Sequence, residues 1–276
     1  MEMIKLYNGV EIPAIGFGTW QLTERIEEVT GTALKVGYKH IDTAAVYGNE
    51  REIGNAIKAS GIDRSSLFIT SKVWNSDRGY DNTLKAFEAS LERLQTEYLD
   101  LYLIHWPANA KRENAPQENA DTWRALEELY AAGKVRAIGL SNFLKHHVAA
   151  ILEVASVKPM VNQLEIHPGY LQTETVEYCR ENEMVVEAWS PIGSGRLLQD
   201  ETLVALAVKY GVSVATLCIQ FLLQQGLVVL PKSTNPKNIE SNLHFDRFVI
   251  ADEDVNAIKN MAISGFSGLN PDEIGF

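Results

Sequence analysis

Short apolar runs alternate along the chain with longer stretches of helical period. The runs fall at 14–17, 38–41, 67–70, 99–104, 135–140, 160–162, 184–188 and 227–230. Several are almost continuous Val, Ile and Leu, the pattern of parallel strands covered on both faces. Between them, residues 49–59, 79–94, 121–132 and 173–182 space their apolar positions as amphipathic helices do. Gly37, Gly61, Gly133 and Gly211 stand where helix ends are expected. Ahead of the first run, residues 5–12 read as two short strands about a tight Asn8-Gly9 turn.

Eight strand–helix units without a Pro/Ser-rich linker predict one (β/α)8 barrel domain over residues 1–276, preceded by a β-hairpin. The competing doubly wound sheet usually shows Gly-x-Gly-x-x-Gly after its first strand. Here Gly16-Phe17-Gly18 lacks the third glycine and Gly193-Ser194-Gly195 follows a late strand, so the barrel is preferred.

Composition then narrows the function classes. With 46% apolar and 22% charged residues the chain has material for a full core. Lys and Arg number 25 against 36 Asp and Glu, a net charge of −11 that repels polyanions and argues against nucleic-acid or anionic-membrane partners. No apolar run approaches the roughly 18 residues of a membrane span. The first residues mix acid and base without a long apolar core, so no signal peptide is expected. Cys179 and Cys218 offer no disulfide framework and suit a reducing cytoplasm, the expected location.

In a barrel the carboxyl ends of the strands share one mouth, where chemistry belongs. Those ends carry Asp42, Lys72, His105, Ser141-Asn142, Gln163, Trp189-Ser190 and Lys232-Ser233, with Tyr47 in the loop after the second strand. Singly, each has an ordinary explanation: Asp42 and Lys72 as a rim ion pair, His105 as a core histidine, Tyr47 and Trp189 as packing, Lys232 as a solvated charge. Together they form a device. Lys72 should lower the pKa of the Tyr47 phenol, Asp42 should hold Lys72, and His105 should give a second hydrogen bond to an oxygen gaining negative charge. Carbonyl reduction needs this arrangement and a hydride, which no side chain supplies, so a nicotinamide is implied. Ser141, Asn142 and Gln163 suit its carboxamide, Trp189 its ring, and Lys232-Ser233-Thr234 its phosphate. No His-x-x-x-His or cysteine cluster indicates a metal site, and His146-His147 should begin a helix and face solvent.

These stretches resemble the aldo-keto reductase family nearly end to end. The match runs through Gly16-Phe17-Gly18-Thr19-Trp20, His40-Ile41-Asp42-Thr43-Ala44, Tyr47-Gly48-Asn49-Glu50 and Ile69-Thr70-Ser71-Lys72-Val73-Trp74. It continues in residues 99–107 (LDLYLIHWP), Gly139-Leu140-Ser141-Asn142-Phe143, Val161-Asn162-Gln163 and Trp189-Ser190-Pro191-Ile192-Gly193. The resemblance implies a monomeric barrel that takes NADPH without a Rossmann domain, with Asp42, Tyr47, Lys72 and His105 as its catalytic four. It implies cofactor contacts from Gly18, Thr19, Trp20 and Asp42, from Ser190, Pro191, Ile192, Gly193 and Ser194, and from Asn238, Ser241 and Asn242. Trp189 in place of a tyrosine and a short tail resemble the prokaryotic branch of 2,5-diketo-D-gluconate and glyoxal or methylglyoxal reductases.

The same likeness implies a carbonyl pocket walled by Trp20, Tyr47, Trp74, His105 and Trp106, with residues 108–117 and 264–276 around it. Such walls suit small aldehydes, α-dicarbonyls and aromatic aldehydes, with a diketo-gluconate as a further substrate of that branch. One departure stands out: Asn238 occupies the place of a common arginine, so NADH should be tolerated better. The alternatives are a Schiff-base aldolase using Lys72 or Lys232, and a nicotinamide-binding subunit without turnover.

Overall fold

The structure is a computed structural model that describes residues 2–108 and 114–275. Two antiparallel strands, β1 (Met3–Lys5) and β2 (Glu11–Pro13), open the chain. They are joined by a longer turn than the two-residue hairpin expected. The Gly9 amide donates to Leu6 O and the Leu6 amide to Val10 O, with Gly9 at φ 91°. This is a three-residue loop ending in a left-handed glycine, and it sets the strands further out along the chain.

Eight parallel strands follow: β3 (Phe17–Gly18), β4 (His40–Asp42), β5 (Phe68–Val73), β6 (Leu99–Ile104), β7 (Val135–Ser141), β8 (Val161–Glu165), β9 (Val185–Trp189) and β10 (Val228–Leu230). Each pairs with its neighbour in sequence, from β3 through β10. The ring closes where Ile15 bridges Val229, with Val229 N donating to Ala14 O and Gly16 N to Val229 O, both at 2.9 Å. Only glycine fits at this seam, since a Cβ on Gly16 would lie 2.6 Å from both His40 Nδ1 and Leu230 Cδ2. The fold is therefore the expected (β/α)8 barrel with an N-terminal β-hairpin.

Helices α1 (Ile26–Val36), α2 (Glu50–Ser60), α3 (Tyr80–Leu94), α4 (Ala115–Ala131), α5 (Lys145–Val154) and α6 (Thr173–Glu181) each follow one strand. Between β9 and β10 lie α7 (Glu201–Tyr210) and α8 (Val214–Gln224), and α9 (Pro236–Leu243) and α10 (Asp252–Lys259) end the helical wall. Strand β6 is buried at every position, which is why its run is apolar apart from Asp100, a buried carboxylate paired with Arg64 and Arg136. Gly37, Gly61 and Gly211 terminate α1, α2 and α7 as expected.

Helix α4 begins six residues before the expected 121, because its first turn, Ala115-Pro116-Gln117-Glu118, offers almost no apolar period. No single helix among the described residues is long and apolar enough to cross a membrane. The pair α7 and α8 passes that test only jointly, bent by 86°, and α8 is largely buried in the barrel wall.

Candidate active site

At the carboxyl ends of the strands a cavity of about 1080 Å³ opens. Asp42 is the last residue of β4, and its carbonyl accepts from the Thr19 amide and hydroxyl at 3.0 and 2.9 Å. Lys72 is the penultimate residue of β5 and is fully buried. Its ammonium donates to Asp42 Oδ1 and Oδ2 at 2.8 and 2.9 Å and to Thr43 O at 2.8 Å. Tyr47 ends a 3-10 turn, Ala45–Tyr47. Asn49 staples that turn to the barrel by donating to Thr19 O at 3.0 Å while accepting from the Thr43 hydroxyl at 2.8 Å.

His105 follows β6, and its Nε2 lies 3.4 Å from the Tyr47 hydroxyl. Lys72 Nζ sits 5.3 Å from the centre of the Tyr47 ring. Four residues spread over 64 positions of chain thus meet at one floor. Trp74 packs edge-on against His105, with ring centres 5.1 Å apart.

The electrostatics differ from expectation at Tyr47. Burial and Asp42 push its phenol up, and Lys72, although it pulls the other way by its charge and a hydrogen bond, does not prevail, so the value reaches about 12. The expected lowering fails because withdrawing a phenolate from water costs more than one already-paired ammonium returns. Burial is the largest single influence on Lys72 and works against its charge, but Asp42, Tyr47 and Glu187 together outweigh it and the ammonium titrates above the ordinary lysine value. Such a nitrogen has no lone pair for a Schiff base, which disfavours Lys72 as the lysine of an aldolase. His105 is driven well below the usual imidazole range by burial, Lys72 and Arg78, so its ring is neutral.

Most of the expected cofactor and substrate residues border this cavity. Gly18, Trp20, Ser141, Asn142, Gln163 and Trp189 do so, as do Ser190, Pro191, Ile192 and Ser194. Lys232, Ser233, Asn238, Ser241 and Asn242 border it too, as do Trp74 and Trp106. Thr19 does not reach it, being turned onto Asp42 O, and Gly193 and Thr234 stay outside. Asn142 is already engaged, donating to His105 O at 3.0 Å and accepting from Trp189 Nε1 at 2.8 Å. The second bond sets the Trp189 indole, whose ring stands edge-on to Trp20 at 5.7 Å.

Sequence reasoning missed Gln21, Thr23, Val46, Leu198 and the 213–215 stretch, all on the cavity wall. Ser213 had a readable signal: it caps α8 by accepting the Thr216 amide at 3.0 Å, a helix start that follows Gly211. Of the expected specificity segments, Ala108 and residues 114–117 do not line the cavity, and 109–113 lie outside the described residues. From 264–275 only Leu269 borders it, and Phe276 lies outside the described residues.

Elsewhere, His146, His147 and Asp272 bring ligand-type atoms within 4.8 Å of one another. His147 does not face solvent as expected: α5 has no capping side chain at Leu144, and His147 Nδ1 turns in to accept the Leu144 amide at 3.2 Å. Burial, with His146, pushes that ring down to about 4 despite Asp272. The neutral ring therefore carries its proton on Nε2, which lies 3.2 Å from Asp272 Oδ1, the oxygen that His146 Nε2 meets at 2.8 Å. That trio is a hydrogen-bonded tie of the tail to α5.

Residues 14–263 match the aldo/keto reductase family. The chain is 48% identical over 277 residues to the glyoxal reductase of Bacillus subtilis, covering 100% of this chain and 98% of that relative. It is 39% identical to an aldehyde reductase of Saccharomyces cerevisiae, over 94% of this chain and 90% of the other. Among solved structures, a mutant of Gox0644 in complex with NADPH superposes with a TM-score of 0.91 at 38% identity, over 100% of this chain and 99% of that one.

Proposed function

Because the chain belongs to the aldo/keto reductase family and is an NADP-dependent oxidoreductase, we propose that it reduces small aldehydes and α-dicarbonyls to alcohols, with Tyr47 as the proton donor. One observation carries this reading. The Tyr47 hydroxyl, the neutral His105 and the buried Lys72–Asp42 pair converge at the floor of a cavity walled by Trp20, Trp74 and Trp106.

The residues present fit a phosphorylated nicotinamide dinucleotide. Gln163 offers an amide oxygen that no group among the described residues takes, since its nitrogen alone is engaged. Lys232 also borders the cavity and makes no ion pair among the described residues. Lys232 and Ser233 would hold phosphate, with Trp189 and Gln163 at the ring. When bound, NADPH supplies the hydride.

The chain supplies the rest. Tyr47 and His105 bind the carbonyl oxygen between them. As that oxygen becomes anionic, Tyr47 releases its hydroxyl proton to it, and Lys72 steadies the phenolate left behind. Asp42 keeps the ammonium in place. The three tryptophans exclude water and leave no fixed charge beside the carbonyl carbon, which favours small and aromatic carbonyl compounds over charged ones.

A panel of aldehydes and α-dicarbonyls, followed by loss of reduced nicotinamide absorbance, tests the reaction. Glyoxal and methylglyoxal should be turned over with NADPH, and a panel without any consumption would refute it. The same assay addresses Asn238. NADPH should be preferred to NADH, and Asn238→Arg should widen the kcat/KM ratio by about tenfold, the worth of one charge-assisted phosphate contact. A ratio unmoved by the arginine would show that Asn238 does not sit at the 2′-phosphate.

A further inference from the structure

Beneath the reacting side chains lies a polar layer that the proposed chemistry leaves unexplained. Strands β8 and β9 place Gln163 and Glu187 side by side in register, and Glu187 is fully buried. The Gln163 nitrogen carries two hydrogens, and both are committed. One goes to Asp42 Oδ2 and the other to Glu187 Oε2, each at 2.8 Å. An amide held at both hydrogens has one face left to offer a ligand, its carbonyl oxygen. With Asp42 alone the group would keep a free hydrogen and could turn.

The charge state of Glu187 follows from its surroundings. The titratable groups facing it are His40 and Asp42 from β4 and Lys72 from β5. Lys72 is turned to Asp42 and Thr43 O and makes no hydrogen bond to Glu187. The second carboxyl oxygen, Oε1, has no hydrogen-bond partner and lies 3.8 Å from His40 Nε2, which is met by the Thr70 hydroxyl at 3.0 Å. A carboxylate here would be a second buried anion beside Asp42, with the one nearby ammonium already taken.

We propose that Glu187 is a positioning residue of the cofactor site: as a neutral acid it locks the Gln163 amide so that its carbonyl oxygen accepts the carboxamide N–H of a nicotinamide. The electrostatics agree, since burial and then Asp42 push the Glu187 carboxyl up to about 8 against the pull of Gln163 and Lys72. The inference rests on the nicotinamide reading of the cavity.

The experiment compares the parent with Glu187→Gln and Glu187→Leu. NADPH dissociation constants come from quenching of tryptophan fluorescence, and melting temperatures of the protein without cofactor from a pH series. Glu187→Gln offers the same acceptor without a charge and should bind NADPH within about twofold of the parent. Glu187→Leu leaves a Gln163 hydrogen unpaired and should raise the NADPH Kd and KM about tenfold, with kcat at saturation little changed.

The pH series reads the proton directly. A carboxyl is ionised in the unfolded chain above about 4.3 but stays protonated in this fold to about 8. Between those values the folded state binds more protons, so stability must fall as pH rises. The parent should therefore lose melting temperature relative to Glu187→Gln from about pH 5 to 8.

Equal NADPH binding by Glu187→Leu, a glutamine variant no better than the leucine one, or parallel melting curves would overturn the proposal. If Glu187→Leu does not fold, the glutamine variant and the pH series still decide. A parent that binds no NADPH at all would instead defeat the nicotinamide reading itself.

Discussion

Tyr47→Phe should reduce aldehyde turnover by roughly 10²–10⁴-fold, the usual worth of a positioned general acid, while NADPH binding and the melting temperature stay close to the parent's. The substitution removes one oxygen and keeps the ring that packs against His105, with centres 5.5 Å apart. Only the proton and its hydrogen bond are lost. The pH dependence has a definite sign. Tyr47 must be protonated to act, and burial holds it at about 12, so kcat for reduction should stay flat from neutral pH into the mildly alkaline range. His105, driven well below its ordinary value, stays neutral across the same range. A Tyr47→Phe enzyme that turns over like the parent, or a parental kcat that collapses above pH 8 at saturating cofactor, would remove Tyr47 from the role.

Lys72→Met should be the costliest single change for both stability and rate. It leaves Asp42 buried without its counter-ion, a loss of about 3–5 kcal/mol for a broken buried pair, and strips the phenolate of its support. Pairing it with Asp42→Asn removes the stranded charge, so urea unfolding should show the double variant regaining most of the stability. Activity should remain near background in both. A single variant as stable as the parent, or a double variant that recovers turnover, would show that the pair acts differently from this account.

The barrel was legible because its strands are buried on both faces, so their apolar runs could not be mistaken for surface. Strand ends were less so. The run at 67–70 stops short of β5 because its continuation is polar on both faces, Ser71 donating outward to Glu50 of α2 and Lys72 reaching Asp42 inside the barrel, and β8 likewise extends past 162 through the polar Gln163 and Glu165. The four central residues could be named because each sits at or just beyond a strand end or in the loop that follows one. What the order of residues could not reveal was direction. Thr19 and Gly193 are neighbours of cavity residues yet face elsewhere, whereas Leu269 reaches the cavity from the far end of the chain. The Tyr47 titration escaped for a related reason: the charge of Lys72 is visible in sequence, but the desolvation that overrides it exists only once the floor is assembled.

The most direct test of direct carbonyl reduction in this cavity is isotopic. Given methylglyoxal and NADPH deuterated at the transferable C4 position, the enzyme should place one deuterium on the former carbonyl carbon of each alcohol formed, and Tyr47→Phe should slow that transfer without changing where the label goes. Product alcohol without deuterium, or NADPH that binds and is never consumed, would contradict it.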